Sequence, residues 1–379
     1  MGSKRILGAI GFTALWFKNN YGIVETDPFE TDPDKIAEWG VQKSKILYQR
    51  YPNLPLGSPD PEPVYTGADY GSHMVCSTAF GGPMPIWDPD SCSWWQPETY
   101  SPWSYLETPA DVAAIKMPDW NEVELVRRKI QRYERILKKT GGKVDYPNEA
   151  MVVLNHPVTG ETYRFTAFPT FIDLGPVMCG REKFMMILAG EPELAHALLD
   201  KCFEMSTSYC EFMCRTFGIK KVEGLMGFGG DFSGLLSPRL YREYALDGFD
   251  RMLVERYGNI PANLHSCAPS KHLYGVWAFY PHRENIILMQ TRGIRGELKR
   301  LRKALPHTLL QITLLPPQFD FERETEENIR SIMWEFAEDA GFRDIQIVSY
   351  ITAGGEVSDR NIRVFYDTVE EINSTASRG

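Results

Sequence analysis

The stretch 285-NIILMQTRGIRGELKRLRKALPHTLLQITLL-315 decides the fold, because two short apolar runs flank a basic segment with apolar residues at helical spacing. NIILMQ and TLLQITLL are near-continuous apolar runs, as expected of strands buried on both faces, and 294–304 between them reads as a helix. Two parallel strands need a long crossover, and the helix supplies it. Working outward, the same alternation repeats. Toward the N-terminus lie a strand at 221-KVEGLMGF-228, a helix at 238-PRLYREYALDGFDRMLVERYG-258, a strand at 261-PANLHSC-267 and a helix at 270–279. Toward the C-terminus come a helix at 323–340, a strand at 344-DIQIVSYI-351 and a helix at 358–372. Five strand–helix units in succession predict a parallel sheet with helices outside.

The N-terminal half is less regular. Residues 6-ILGAIGFTALW-16 predict a buried strand, and in 32-DPDKIAEWGVQKSKILYQRY-51 the residues Ile36, Trp39, Val41, Ile46 and Leu47 recur roughly at helical spacing, predicting a helix. A second strand is expected within 70–80, a charged helix over 119–140, and strand material at 148-NEAMVVLN-155 and 163-YRFTAFPTFIDLG-175. Residues 181–218 predict two helices broken at Gly190, with Pro192 in the first turn of the second. Cys202, Cys210 and Cys214 lie on that second helix among Phe and Met residues and read as core. Together the strands number about eight, which predicts one (β/α)8 TIM barrel over residues 1–379. The stretch 52–118, dense in Pro, Gly and aromatics, reads as an insertion that is either a lid or a satellite core.

Composition narrows the function. The chain has 379 residues, 43% hydrophobic and 24% charged, and a net charge of −9, which speaks against a general nucleic-acid binder and for small-molecule chemistry. The apolar opening lacks a signal-peptide cleavage site, and no segment has the ~20 apolar residues of a membrane helix. Seven cysteines at irregular spacing fit reduced thiols and a cytoplasmic protein.

Barrel chemistry sits at the C-terminal ends of the strands. That rule selects Asp231 in 226-MGFGGDFSG-234, His265 and Cys267 in NLHSC, Gln290, Gln311, and Tyr350 with Glu356 in 350-YITAGGEVSD-359. His265 and Cys267, two apart on one strand, share a face, so they read either as two soft metal ligands or as a packed cysteine beside a hydrogen-bonded histidine. Asp231 is expected to face the pocket as an acid/base or to cap a turn, and Gln311 to bind substrate or to sit satisfied in a barrel layer.

Three segments resemble the uroporphyrinogen decarboxylase-like superfamily: 175-GPVMCGREKFMMILAGEPELAHALLDKCFE-204, 229-GGDFSGLLSPRLYREYALDGFDRML-253, and NLHSCA, which is similar to the strand end of its corrinoid and zinc methyltransferase branch. The likeness implies a methyltransferase moving a methyl group between a small ether, amine or thiol and a corrinoid on a partner protein. It implies zinc on His265 and Cys267. The branch's further cysteine falls where this chain reads Ala353-Gly354-Gly355-Glu356, so Glu356 is the expected third ligand. Asp231, His265 and Glu356 are then the catalytic set. Gln290, Gln311, Tyr350, Trp94 and Trp95 are the expected substrate contacts, the tryptophans from the aromatic stretch 80–105. The chain lacks the Arg-rich element with which the family's decarboxylases grip carboxylates. A metal-independent decarboxylase or lyase using Asp231 and His265, or a non-catalytic ligand-binding barrel, are the alternatives.

Overall fold

The computed structural model describes residues 5–65, 71–96, 100–142, 152–156, 159–167, 170–266, 268, 270–316 and 319–376. Its strands are β1 (Ile6–Phe12), β2 (Ile86–Asp88), β3 (Ser93–Trp95), β4 (Val152–Asn155), β5 (Thr162–Ala167), β6 (Leu225–Gly229), β7 (Ala262–Ser266), β8 (Ile286–Arg292), β9 (Leu309–Leu314) and β10 (Ile345–Ile351). Among the described residues, eight of them form one sheet in the order β1-β10-β9-β8-β7-β6-β5-β4. Every pair from β1 round to β5 is parallel, and β4 pairs antiparallel to β5. A short connection explains the reversal: six residues join β4 to β5, too few for a crossover.

The five C-terminal strands stand close to where the sequence places them, but among the described residues the ring does not close. The sheet curls into a half-barrel with β1 and β4 at its two ends, which corrects the expectation of a closed (β/α)8 barrel. The strand expected within 70–80, which would have continued the sheet beyond β1, is a helix, Ser72–Ala79, burying Val75 and Cys76. The expected first strand also ends early, at Phe12. Thr13 caps a helix, Ala14–Tyr21, its side chain accepting the Trp16 N–H at 3.2 Å, so that Trp16 and Phe17 are buried from a helix. In place of a helix at 270–279 stand two single turns, Lys271–Leu273 and Trp277–Phe279. Gly275 lies between them, and a Cβ there would come 2.7 Å from Arg300 Nη2.

Alternation along the strands sets the core. On β9 and β10, Leu310, Ile312, Leu314, Ile345, Ile347 and Ile351 are buried beneath the helices, while Gln311, Gln346 and Tyr350 take the concave face and are more exposed. The helices Glu326–Asp339 and Glu356–Ala376 cover this side, close enough to β1 that a Cβ on Gly8 would lie 2.7 Å from the Phe365 ring. The break after Gly190 is present, dividing Arg181–Gly190 from Pro192–Thr216, and Cys202, Cys210 and Cys214 are buried in the core. The six cysteines among the described residues are free thiols.

At the base of the sheet, Arg302 is 8% exposed and donates to the carbonyls of Leu305 (3.1 Å), Thr308 (2.8 Å), Arg343 (3.1 Å) and Asp344 (2.7 Å). One guanidinium thereby ties together the approaches to β9 and β10. Burial lowers its pKa to about 10, yet it remains charged at neutral pH.

Candidate active site

The concave face carries a row of polar side chains. Backbone register aligns His265 of β7 with Gln290 of β8, Gln290 with Gln311 of β9, and Gln311 with Gln346 of β10. Neighbouring strands lie about 4.8 Å apart, so registered side chains on one face meet laterally. His265 Nδ1 lies 2.8 Å from Gln290 Oε1. Gln290 Nε2 donates to Gln311 Oε1 at 2.6 Å, and Gln311 Nε2 to Gln346 Oε1 at 2.8 Å. The row sits one residue from the end of β7 but one residue from the start of β10, because tilted strands are staggered. It joins the mouth of the half-barrel to its base.

Asp231 enters from the loop after β6. Its Oδ1 stands 3.5 Å from His265 Nε2, and both side chains are substantially exposed. Its side chain does not cap the turn that follows. What positions the loop is Asp173, from the helix Phe171–Cys179, whose carboxylate accepts the N–H groups of Asp231 (3.1 Å) and Phe232 (3.0 Å). Gly230, at φ +67°, permits this approach; a Cβ there would meet the carboxylate at 2.4 Å.

Burial pushes the Asp173 carboxyl up to about 6; the Phe232 N–H opposes the rise and the Asp231 charge adds to it. A carboxyl raised in the folded state contributes stability that is fully present below its unfolded value near 4 and is lost as pH rises through about 6. Against an Asp173→Asn variant, the wild type is therefore expected to lose about 2 kcal/mol of relative stability between pH 4 and pH 7. Urea unfolding of both proteins across that range measures it, and a flat difference would contradict the assignment.

Two cavities meet here. The smaller, about 280 Å³, is lined by His73, Asp173, Met226, Asn263, His265 and Gln290 among others. Asn263 is 6% exposed, and its Oδ1 lacks a hydrogen-bond partner among the described residues. The larger, about 750 Å³, shares His73, Asp173 and Val177 with it and extends past Asp231 to Trp94, Trp95 and Tyr100. Trp94 belongs to the hairpin β2–β3, where it meets Trp87 edge-on at 5.2 Å. Part of the aromatic insertion thus forms a cavity wall.

Of the residues singled out from the sequence, Asp231, His265, Gln290, Trp94 and Trp95 come to this one region. Gln311 does so only through the row, bonded on both sides, which favours the satisfied-layer reading. Tyr350 shares a strand face with Gln346 but packs over Gly11 and is 47% exposed. Cys267 lies outside the described residues. Glu356 begins the last helix on the surface, and among the described residues no three of His, Cys, Asp and Glu come together as a metal-binding group. In the loop before that helix, Glu322 accepts the N–H groups of Thr352 (2.9 Å), Ala353 (3.0 Å) and Gly354 (2.6 Å).

Sequence reasoning missed Asp173, His73, Asn263 and Gln346. Asp173 sits in a run read as strand, and a lone acid within FIDLG was the available signal. Gln346 had a plainer one, being the third glutamine at an inward strand position on three successive strands.

No protein-family model matches the chain, and no curated protein matches it in sequence. Among the described residues no helix is long and apolar enough to cross a membrane. The fold is similar to that of a solved methyltransferase from Methanosarcina mazei, with a TM-score of 0.57 and 13% identity over 97% of this chain and 93% of that one.

Proposed function

We propose that this chain is a methyltransferase that moves a methyl group between a small methylated ether, amine or thiol and a corrinoid carried by a partner protein, with zinc at His265. The observation that carries the reading is the likeness of fold to a methyltransferase along nearly the whole of both chains, coupled with a histidine held at the mouth of the sheet. Zinc fits that histidine in one respect. A metal-bound imidazole usually gives its other nitrogen to a hydrogen-bond partner, and Gln290 occupies that role at Nδ1. The residues to hold zinc are His265 and Cys267, with the Asp231 carboxylate beside them. Zinc there supplies Lewis acidity toward the heteroatom that carries the methyl group, or lowers the pKa of a bound thiol.

The chain's own residues do the rest. Asp231 holds or moves a proton at the substrate heteroatom, and Trp94 and Trp95 take its apolar body. The substrate is a small molecule, since the cavities are bounded and partly aromatic. A second reading, a metal-independent decarboxylase or lyase, is favoured by Asp173, a carboxyl poised near 6 beside Asp231.

Two measurements separate the readings. Protein purified without chelator is expected to hold about one zinc per chain, falling sharply in Cys267→Ser, as a mononuclear site requires. Methyl ethers, methylamines and methyl thiols offered with a reduced corrinoid are expected to give methyl-cobalt absorbance. Zinc well below that level and unchanged by the variant, with no methyl transfer and with decarboxylation of a carboxylated substrate, would establish the second reading.

A further inference from the structure

Asn263 stands two residues before His265 on β7, so both side chains take the concave face, and Asn263 lies one layer deeper, about 7 Å toward the base. It is 6% exposed and lines the smaller cavity, yet its Oδ1 has no hydrogen-bond partner among the described residues. The strand register shows why. Its neighbours across the sheet are Met226 of β6 and Leu288 of β8, and neither side chain has a hydrogen to donate. Gln290 lines the same cavity, but both ends of its amide are engaged, with His265 and with Gln311.

An amide buried among apolar neighbours is unfavourable unless something pairs with it. Packing alone would be better served by leucine, which this layer has at 288 on the next strand. The side chain is therefore explained by what enters the cavity. A hydroxyl suits it, because a hydroxyl donates to Oδ1 or accepts from Nδ2, and a half-turn of the amide brings either end to it. A carboxylate or phosphate does not, since the Asp173 carboxyl lines the same cavity and would set like charge beside it.

We propose that Asn263 is a specificity-determining residue whose amide pairs with a hydroxyl group on the end of the substrate that enters the smaller cavity. The inference rests on the reading of these cavities as the site of a small methylated substrate. With the methylated heteroatom at the level of His265, the hydroxyl lies about 7 Å deeper, so the two polar atoms are several bonds apart. The substrate class is then a methyl ether, methyl thioether or methylamine that also carries a free hydroxyl at its far end.

The test compares two ligands of nearly the same shape. Tetramethylene glycol monomethyl ether carries the terminal hydroxyl, and methyl pentyl ether replaces it with a methyl group. Binding of each to the full chain is measured by ligand-observed NMR titration with no corrinoid present, so a failure of methyl transfer leaves the result intact. The wild type is expected to bind the hydroxyl ether about tenfold more tightly, although apolar burial alone favours methyl pentyl ether. Asn263→Leu is expected to reverse that order and to keep or raise the melting temperature, because it removes a buried amide from apolar surroundings. Equal or tighter binding of methyl pentyl ether by the wild type, or no binding of the hydroxyl ether, would overturn the inference and leave the methyltransferase reading standing. A preference for the hydroxyl ether that survives in Asn263→Leu would overturn it as well. The wild-type comparison needs no variant and decides the matter if Asn263→Leu fails to fold.

Discussion

Turnover is expected to fall by about 10²–10⁴-fold in His265→Ala, the range for loss of a general acid/base group, while the unfolding midpoint stays close to wild type. Stability is spared because the side chain is 43% exposed and stands at the mouth of the sheet rather than under the helices. Activity is not, because this ring is where the glutamine row and the Asp231 loop converge. Asp231→Asn is expected to cost about 10²-fold, again with little change in melting temperature. If the two act as a unit, the double variant loses little more than His265→Ala alone, since removing either member of a working pair disables both. Full additivity of the two losses would mean independent roles. A large loss of stability in Asp231→Asn, with normal specific activity in the folded fraction, would make its role structural.

The second large effect is on stability. Arg302→Leu is expected to lower the unfolding free energy by about 4 kcal/mol, because buried carbonyls that lose a charged donor cost about 1–3 kcal/mol each and some keep another partner. The Asp344 carbonyl, for instance, also accepts the Leu310 N–H at 2.9 Å. Leucine replaces much of the apolar stem but none of the N–H groups. Urea unfolding measures the loss, which should come without change in the activity of the folded protein, since Arg302 lies at the opposite end of the sheet from His265. A change below 1 kcal/mol would show that water takes the place of the guanidinium.

What could be read in the sequence follows from where local pattern and tertiary packing agree. The strands β6 to β10 were legible because each is an apolar run bounded by turn residues and, β7 excepted, followed by helix. Closure was not. Where a second strand was expected, the His-Met-Val-Cys run of Ser72–Ala79 suits a strand or a helix equally, and it packs as a helix against Phe171–Cys179, distant in sequence. The misplaced end of β1 has a local cause, Thr13, whose side chain starts a helix inside a run that reads as apolar throughout. At the site, strand ends exposed His265, Gln290 and Asp231 to inspection because barrel geometry sends such positions to one mouth. Asp173 stayed hidden because it reaches the site from a helix, and only its backbone-directed bonds reveal what it does. Glu356 begins the last helix beside a loop that Glu322 organises, a placement set by a residue far away in sequence.

That loop has a consequence for selectivity. Barrel enzymes commonly seat a substrate phosphate on backbone N–H groups near their last strands. Here three successive N–H groups of that kind hold a carboxylate of the same chain. A tethered anion competes at high effective concentration without any cost of association. A phosphorylated visitor would have to evict it and then sit beside its charge. The chain thus fills from within a set of N–H groups of the kind that seats phosphates elsewhere.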